Sequence, residues 1–154
     1  MKLDKTVTLK NELVLKSSHY GDIAYDKNEV LFFEKGMLGF ENLNGFILRT
    51  IEENKDFRIL HSLDDGDIAF VVLNPFDFVS DYEIDLDEEV ILKLEIEKEN
   101  DVMILNTVTL SNEISKITTN LRAPIIINVK NNKAEQFILK TEKYKIKHGL
   151  VEEK

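Results

Sequence analysis

Short apolar runs rich in β-branched residues recur along the chain with turn-forming residues between them: GDIAYD, VLFF, GFILRT, FRILHSL, IAFVVLN, DVMILNTVTL, PIIINV and EQFILK. Their number predicts about eight to ten strands. FRILHSL and IAFVVLN are joined by DDGD, in which Asp65-Gly66 is a pair favoured where a tight hairpin needs positive φ. Those two strands are therefore expected to be antiparallel neighbours. Ile68 to Leu73 is apolar at every position, so alternation is lost and both faces are expected to be covered, as in a closed or two-layered sheet. The fold class that follows is mainly β: a single-domain antiparallel barrel or sandwich-like fold with one or two short helices.

One segment departs from the strand pattern. In DLDEEVILKLEI, Asp87 stands where a side-chain cap is favoured, and Glu88 and Glu89 suit the positive end of a helix. Val90, Ile91 and Leu94 share one helical face, although Val90, Leu92, Leu94 and Ile96 also alternate as a strand would. A short helix is expected there.

Two prolines, six glycines and no repeat in 154 residues leave no room for a linker. Residues 15–154 read as one domain, preceded by an adaptable N-terminal arm over 1–14 whose apolar residues are sparse and lysine-flanked. That arm lacks the continuous apolar core of a leader peptide, and no stretch approaches the roughly 18 apolar residues of a membrane span. No cysteine is present, which excludes disulfides, thiol catalysis and thiolate metal sites. A reducing cytoplasm is the expected compartment. The net charge of −9, from 29 acids against 20 bases, opposes direct nucleic-acid binding and favours a basic partner.

The stretch FEKGMLGFENL places Gly36 and Gly39 three apart. It lacks the lysine and hydroxyl of a phosphate-binding loop and the third glycine of a dinucleotide fingerprint. Its GXXG spacing matches an RNA clamp, but Met37 and Leu38 are not the polar residues such a clamp uses. A turn is expected, with Met37 and Leu38 partly exposed and Phe40 plugging the core. His61-Ser62 does not form a catalytic pair, because neighbours on a strand point to opposite faces; His61 shares its face with Ile59 and Leu63 and reads as a core or rim histidine. The three histidines lack zinc spacing, and no acidic group matches a calcium loop. Catalytic residues, metals and cofactors are accordingly not expected.

The segment NPFDFVSDYEIDL combines Phe76, Phe78 and Tyr82 with Asp77, Asp81, Glu83 and Asp85. Aromatic anchors rimmed by charge describe a protein interface, and for Phe76 and Phe78 they equally describe a loop folded onto its own core.

Taken together and in order, FFEKGMLGFENL, FRILHSLDDGDIAFVVLNP, DYEIDL and TNLRAPIIIN resemble the flagellar assembly factor FliW family, from about Val14 to Leu150. The resemblance implies a small, non-enzymatic β-rich monomer of the cytoplasm. It implies two partners: flagellin, toward which the family acts as a chaperone, and the RNA-binding translational repressor CsrA, whose repression of flagellin synthesis it antagonises. The resemblance implies allosteric binding, away from the RNA groove of CsrA. On that basis the partner-binding residues expected here are Asp77, Asp81, Tyr82, Glu83 and Asp85, with the tip residues Met37 and Leu38, and Asn120, Leu121 and Pro124 as a second shared surface. For the last group a structural reading competes: Pro124 starts a strand and Asn120 satisfies a turn. The alternatives weighed are a β-barrel module holding a small ligand and a carboxylate hydrolase.

Overall fold

The computed structural model describes residues 13–151. The strands are β1 (Leu13–Ser17), β2 (Gly21–Tyr25), β3 (Leu31–Phe33), β4 (Gly45–Thr50), β5 (Phe57–Ser62), β6 (Ala69–Leu73), β7 (Val102–Thr109), β8 (Thr118–Thr119), β9 (Ile125–Asn128), β10 (Lys133–Gln136) and β11 (His148–Gly149). One α-helix, α1 (Glu88–Lys93), lies between β6 and β7. Of the arm expected over 1–14, residues 1–12 fall outside the described residues, while Leu13 and Val14 begin β1.

Seven strands close into a ring in the order β7–β6–β5–β4–β3–β10–β9, with β9 returning to β7. A barrel, not a sandwich, is the outcome. The expected β5–β6 hairpin is antiparallel in the register Leu60↔Phe70 and His61↔Ala69, but neither Asp65 nor Gly66 takes the expected positive φ; a Cβ on Gly66 would stand 2.1 Å from the Lys16 carbonyl oxygen, so the glycine makes room for β1. The expectation of a wholly antiparallel barrel needs one correction: β10 runs parallel to β3, pairing Lys133 with Phe32 and Ala134 with Phe33. Those strands lie at opposite ends of the chain, so no hairpin constrains their direction. The eight-residue β7 is forked. Val102 to Leu105 pair with β9, whereas Val108 and Thr109 pair with β8, which carries β11 outside the ring.

Alternation sorts the side chains. Leu31, Phe33, Phe46, Leu60, Val72, Leu105, Ile125, Ile127 and Ala134 fill the barrel. Phe33 and Phe46 meet edge-to-face at 5.0 Å. Small barrels of this strand number are filled by side chains, and here no aromatic or leucine of that set is more than marginally exposed. Ile126 points outward, where Val90 of α1 and Leu94 at its C-cap cover it.

The helix expected from DLDEEVILKLEI is therefore present, and its apolar stripe is what buries β9 on both faces. Its N-terminus differs from expectation: Asp87 makes no capping hydrogen bond and instead faces Lys140 at 3.3 Å. The other end is held by the β9–β10 turn, where Asn128 Nδ2 donates to the Leu94 and Glu95 carbonyls at 2.8 and 3.1 Å. These bonds satisfy carbonyls that a helix C-terminus leaves open.

The β1–β2 hairpin packs across the outer face of β4 and β5. Arg49 Nη2 donates to the Ala24 carbonyl at 2.9 Å, Ser18 N donates to the Gly66 carbonyl at 3.3 Å, and the Tyr20 ring meets His61 edge-on at 5.0 Å. His61 is buried there as expected of a core histidine, and burial, then the Arg49 charge, pushes its pKa below the usual 6.5. Ser62 sits opposite Phe46 on the other face. Along Ile68 to Leu73 the expected two-sided cover is confined to the end of β6: Val72 and Leu73 are buried, but Ala69 is exposed.

Candidate functional site

The connection from β6 to α1 begins with the tight turn Pro75–Asp77, capped by Asn74, whose Oδ1 accepts the Phe76 amide at 3.0 Å. From Asp81 to Leu86 the burial of successive residues alternates by period two. Tyr82, Ile84 and Leu86 turn inward, while Asp81, Glu83 and Asp85 are exposed. Asp77 is exposed on the preceding turn. Among the described residues these four carboxylates form no ion pair.

Tyr82 corrects the expectation that its ring meets a partner. It is 4 % exposed and anchors a separate cluster with Leu121, Leu139 and Tyr144. Its hydroxyl donates to the Leu121 carbonyl and accepts from Asn106 Nδ2 at 3.3 Å, and the same Nδ2 reaches the Asn120 carbonyl at 2.6 Å. Burial pushes its pKa up to about 12, against the Asn106 hydrogen bond, which lowers it. Tyr144 stacks edge-on against Tyr82 at 4.7 Å and accepts the Glu83 amide at 2.9 Å. The acidic connection is thus fixed by two buried tyrosines beneath it.

The exposed aromatics of the connection are Phe76 and Phe78, at 49 % and 38 %. Phe78 lies parallel to Phe57 with centroids 6.2 Å apart, and Phe76 leans on Tyr82 at 5.8 Å. Each ring has one supported face and one wet face. The surface unit is therefore two half-exposed phenylalanines and four exposed carboxylates on one connection, with Tyr82 as its foundation.

At the FEKGMLGFENL tip the expected roles of Met37 and Phe40 are exchanged. Met37 is 2 % exposed and belongs to the barrel core, whereas Phe40 is 38 % exposed and leans on Phe70 at 5.3 Å. The reason is the reverse turn closed by Met37 N to Phe40 O at 3.2 Å and Phe40 N to Met37 O at 2.7 Å. Gly36 and Gly39 have φ of +67° and +83°, values that L side chains rarely adopt. They reverse the chain so that Met37 faces in and Leu38, 45 % exposed, faces out.

In TNLRAPI, Leu121 and Pro124 are buried, which removes both from any contact surface. Asn120 is half-buried and its Oδ1 accepts the Arg122 and Ala123 amides at 3.0 and 3.1 Å, so it shapes the turn into β9.

The model of the family described as "FliW protein" matches residues 14–150. The chain belongs to the FliW family. It is 48% identical over 139 residues to the flagellar assembly factor FliW of Clostridium botulinum (strain 657 / Type Ba4), covering 90% of this chain and 97% of that one. The flagellar assembly factor FliW of Clostridium beijerinckii is 49% identical over 137 residues, covering 89% and 97%. A crystal structure of the flagellar assembly factor FliW superposes with a TM-score of 0.87 at 35% identity, covering 92% of this chain and 99% of that chain.

The four FliW-like motifs, scattered in sequence, are wired together in the fold. Gln136 accepts the Leu38 amide at 2.9 Å and donates to the Ala123 carbonyl at 3.1 Å, joining the first motif to the last. Tyr82 joins DYEIDL to Leu121 of the last. Two residues of this candidate site are not evident in the sequence: Phe57, which supports Phe78, and Tyr144, which holds Glu83. The one available signal for Tyr144 was its isolation as a ring among the lysines of KYKIK.

Proposed function

We propose that this FliW-family chain is a non-enzymatic protein-binding regulator of the cytoplasm that takes CsrA and flagellin as alternative partners. Relatives named flagellar assembly factors support a role in flagellar assembly. The observation that carries the finer reading is the Pro75–Leu86 connection, where exposed Asp77, Asp81, Glu83 and Asp85 surround half-exposed Phe76 and Phe78 on a backbone fixed from below. Rigid aromatic anchors give contact area at low entropic cost, and a carboxylate rim accelerates encounter with a basic protein and repels competing RNA. Leu38 and Phe40 form a separate exposed apolar tip available to the second partner. Residues 15–154 act as one domain and bind as a monomer.

The small-ligand alternative has less support. The barrel interior is filled, and the groove between α1 and β3–β10, about 230 Å³ and lined by Phe32, Lys93, Lys133 and Glu135, lies outside it. The deciding experiment is co-elution from a sizing column: the purified chain should form a complex with CsrA and release it when flagellin is added. Failure to co-elute with either protein overturns the proposal. Asp81→Lys with Glu83→Lys should slow association with CsrA, most at low salt; an unchanged rate there removes the connection from the contact.

A further inference from the structure

Asn44-Gly45 is the single Asn-Gly pair in the chain. Such a pair is chemically unstable when its backbone is free. The glycine nitrogen, unhindered by a side chain, attacks the asparagine Cγ; a new N–Cγ bond forms, the Cγ–Nδ2 bond breaks and ammonia leaves. Water then opens the resulting succinimide to aspartate or isoaspartate. The attack requires the glycine amide to shed its proton and the carboxamide to swing over it.

Both requirements are opposed here by named contacts. Asp64 Oδ2 accepts the Gly45 amide at 3.0 Å and the Asn44 amide at 2.8 Å. A carboxylate acceptor stabilises the protonated amide and makes a stronger bond than a neutral one. The Asn44 carboxamide is committed elsewhere, with Nδ2 donating to the Phe33 carbonyl at 2.7 Å and the Glu34 carbonyl at 3.1 Å. Gly45 itself is held in β4, paired with Phe32 and accepting from Leu63 N at 2.8 Å.

We propose that Asn44 is a latent deamidation site and that Asp64 is the residue that keeps it closed. Conversion would replace a donor with a carboxylate facing two carbonyls, releasing the segment that leads into the Gly36–Phe40 turn. An unlatched molecule would then carry a displaced Leu38–Phe40 tip.

The test is mass spectrometry of the Asn44 peptide, with isoaspartate quantified separately, after incubation of the whole protein in mildly alkaline buffer. Asn44 in the native protein should convert more slowly than in the same protein unfolded in urea. Asp64→Ala should raise the native rate about tenfold, the scale expected from losing the charge-assisted hydrogen bond to the attacking Gly45 amide. Adding Gly45→Ala should return the rate to a low value, because a methyl there blocks the attack yet meets nothing closer than Leu63 at 3.7 Å. If Asp64→Ala does not fold, Asp64→Asn keeps an acceptor without its charge and should still convert faster than the parent. A folded Asp64→Asn or Asp64→Ala protein that deamidates no faster than the parent overturns the proposal. So does a native parent that converts as fast as its unfolded form.

Discussion

Tyr144 and Glu83 are 61 residues apart in the chain, yet the Tyr144 hydroxyl accepts the Glu83 amide hydrogen at 2.9 Å and lies 3.4 Å from the Asp81 carbonyl, to which it donates. One hydroxyl therefore spans the backbone between two of the exposed carboxylates. Tyr144→Phe keeps the ring against Tyr82 and deletes only these bonds, so it should cost about 1 kcal/mol in urea unfolding. Amide hydrogen exchange at Glu83 should rise in the same variant while exchange in the barrel strands stays unchanged.

The buried hydroxyl of Tyr82 makes stability depend on alkaline pH. Its folded pKa of about 12 stands above the ordinary 10.0. The raised value means that its contribution is complete below pH 10 and is lost as pH climbs toward 12, because the unfolded chain releases the proton first. The loss should reach about 2–3 kcal/mol. Tyr82→Phe should flatten this limb of the stability curve and cost about 1–3 kcal/mol at neutral pH, since the Leu121 carbonyl and Asn106 lose a buried partner.

His61 sets the opposite limb. Burial depresses its folded pKa below 6.5, so the unfolded chain takes up the proton first as pH falls. Its contribution is present above pH 6.5 and disappears as the pH drops through the lower folded value. Urea midpoints measured downward from neutral pH should decline, and His61→Gln should reduce that decline.

The apolar tip separates structural from exposed positions. Leu38→Asp should change stability by no more than about 0.5 kcal/mol, as expected of a surface site. Met37→Asp places a carboxylate in the barrel core and should prevent folding at ordinary temperature. Gly36→Ala should also destabilise strongly, because its Cβ would stand 2.5 Å from the Phe40 carbonyl oxygen at a φ of +67°. Circular dichroism melts distinguish the three.

How far the sequence could be read follows from the range of the interactions involved. The β5–β6 hairpin was legible because two strand-like runs flank a short turn-forming segment, although Gly66 makes room for the Lys16 carbonyl and does not supply a positive φ; α1 was legible because its apolar stripe recurs at helical spacing. The resemblance carried the family, since four motifs in order are hard to imitate. What stayed hidden depended on contacts across the fold. Period-two alternation through DYEIDL already implied that Tyr82 opposes its acidic neighbours, but which face was buried depended on Leu121 and Tyr144. Likewise, two glycines announced a turn at the tip, but only the bonds between Met37 and Phe40 decide which apolar residue enters the core. The parallel β3–β10 pairing left no local trace at all.

That pairing bears on how the chain is made. Strand β3 emerges from the ribosome about a hundred residues before its partners Lys133 and Ala134. Ring closure must therefore wait until β10 has been made, and contacts of such wide sequence separation form slowly. Until then β3 presents a bare edge that invites pairing with other chains. A message cut short before β10 would yield no smaller working version of the molecule, only an open sheet suited to aggregation or proteolysis.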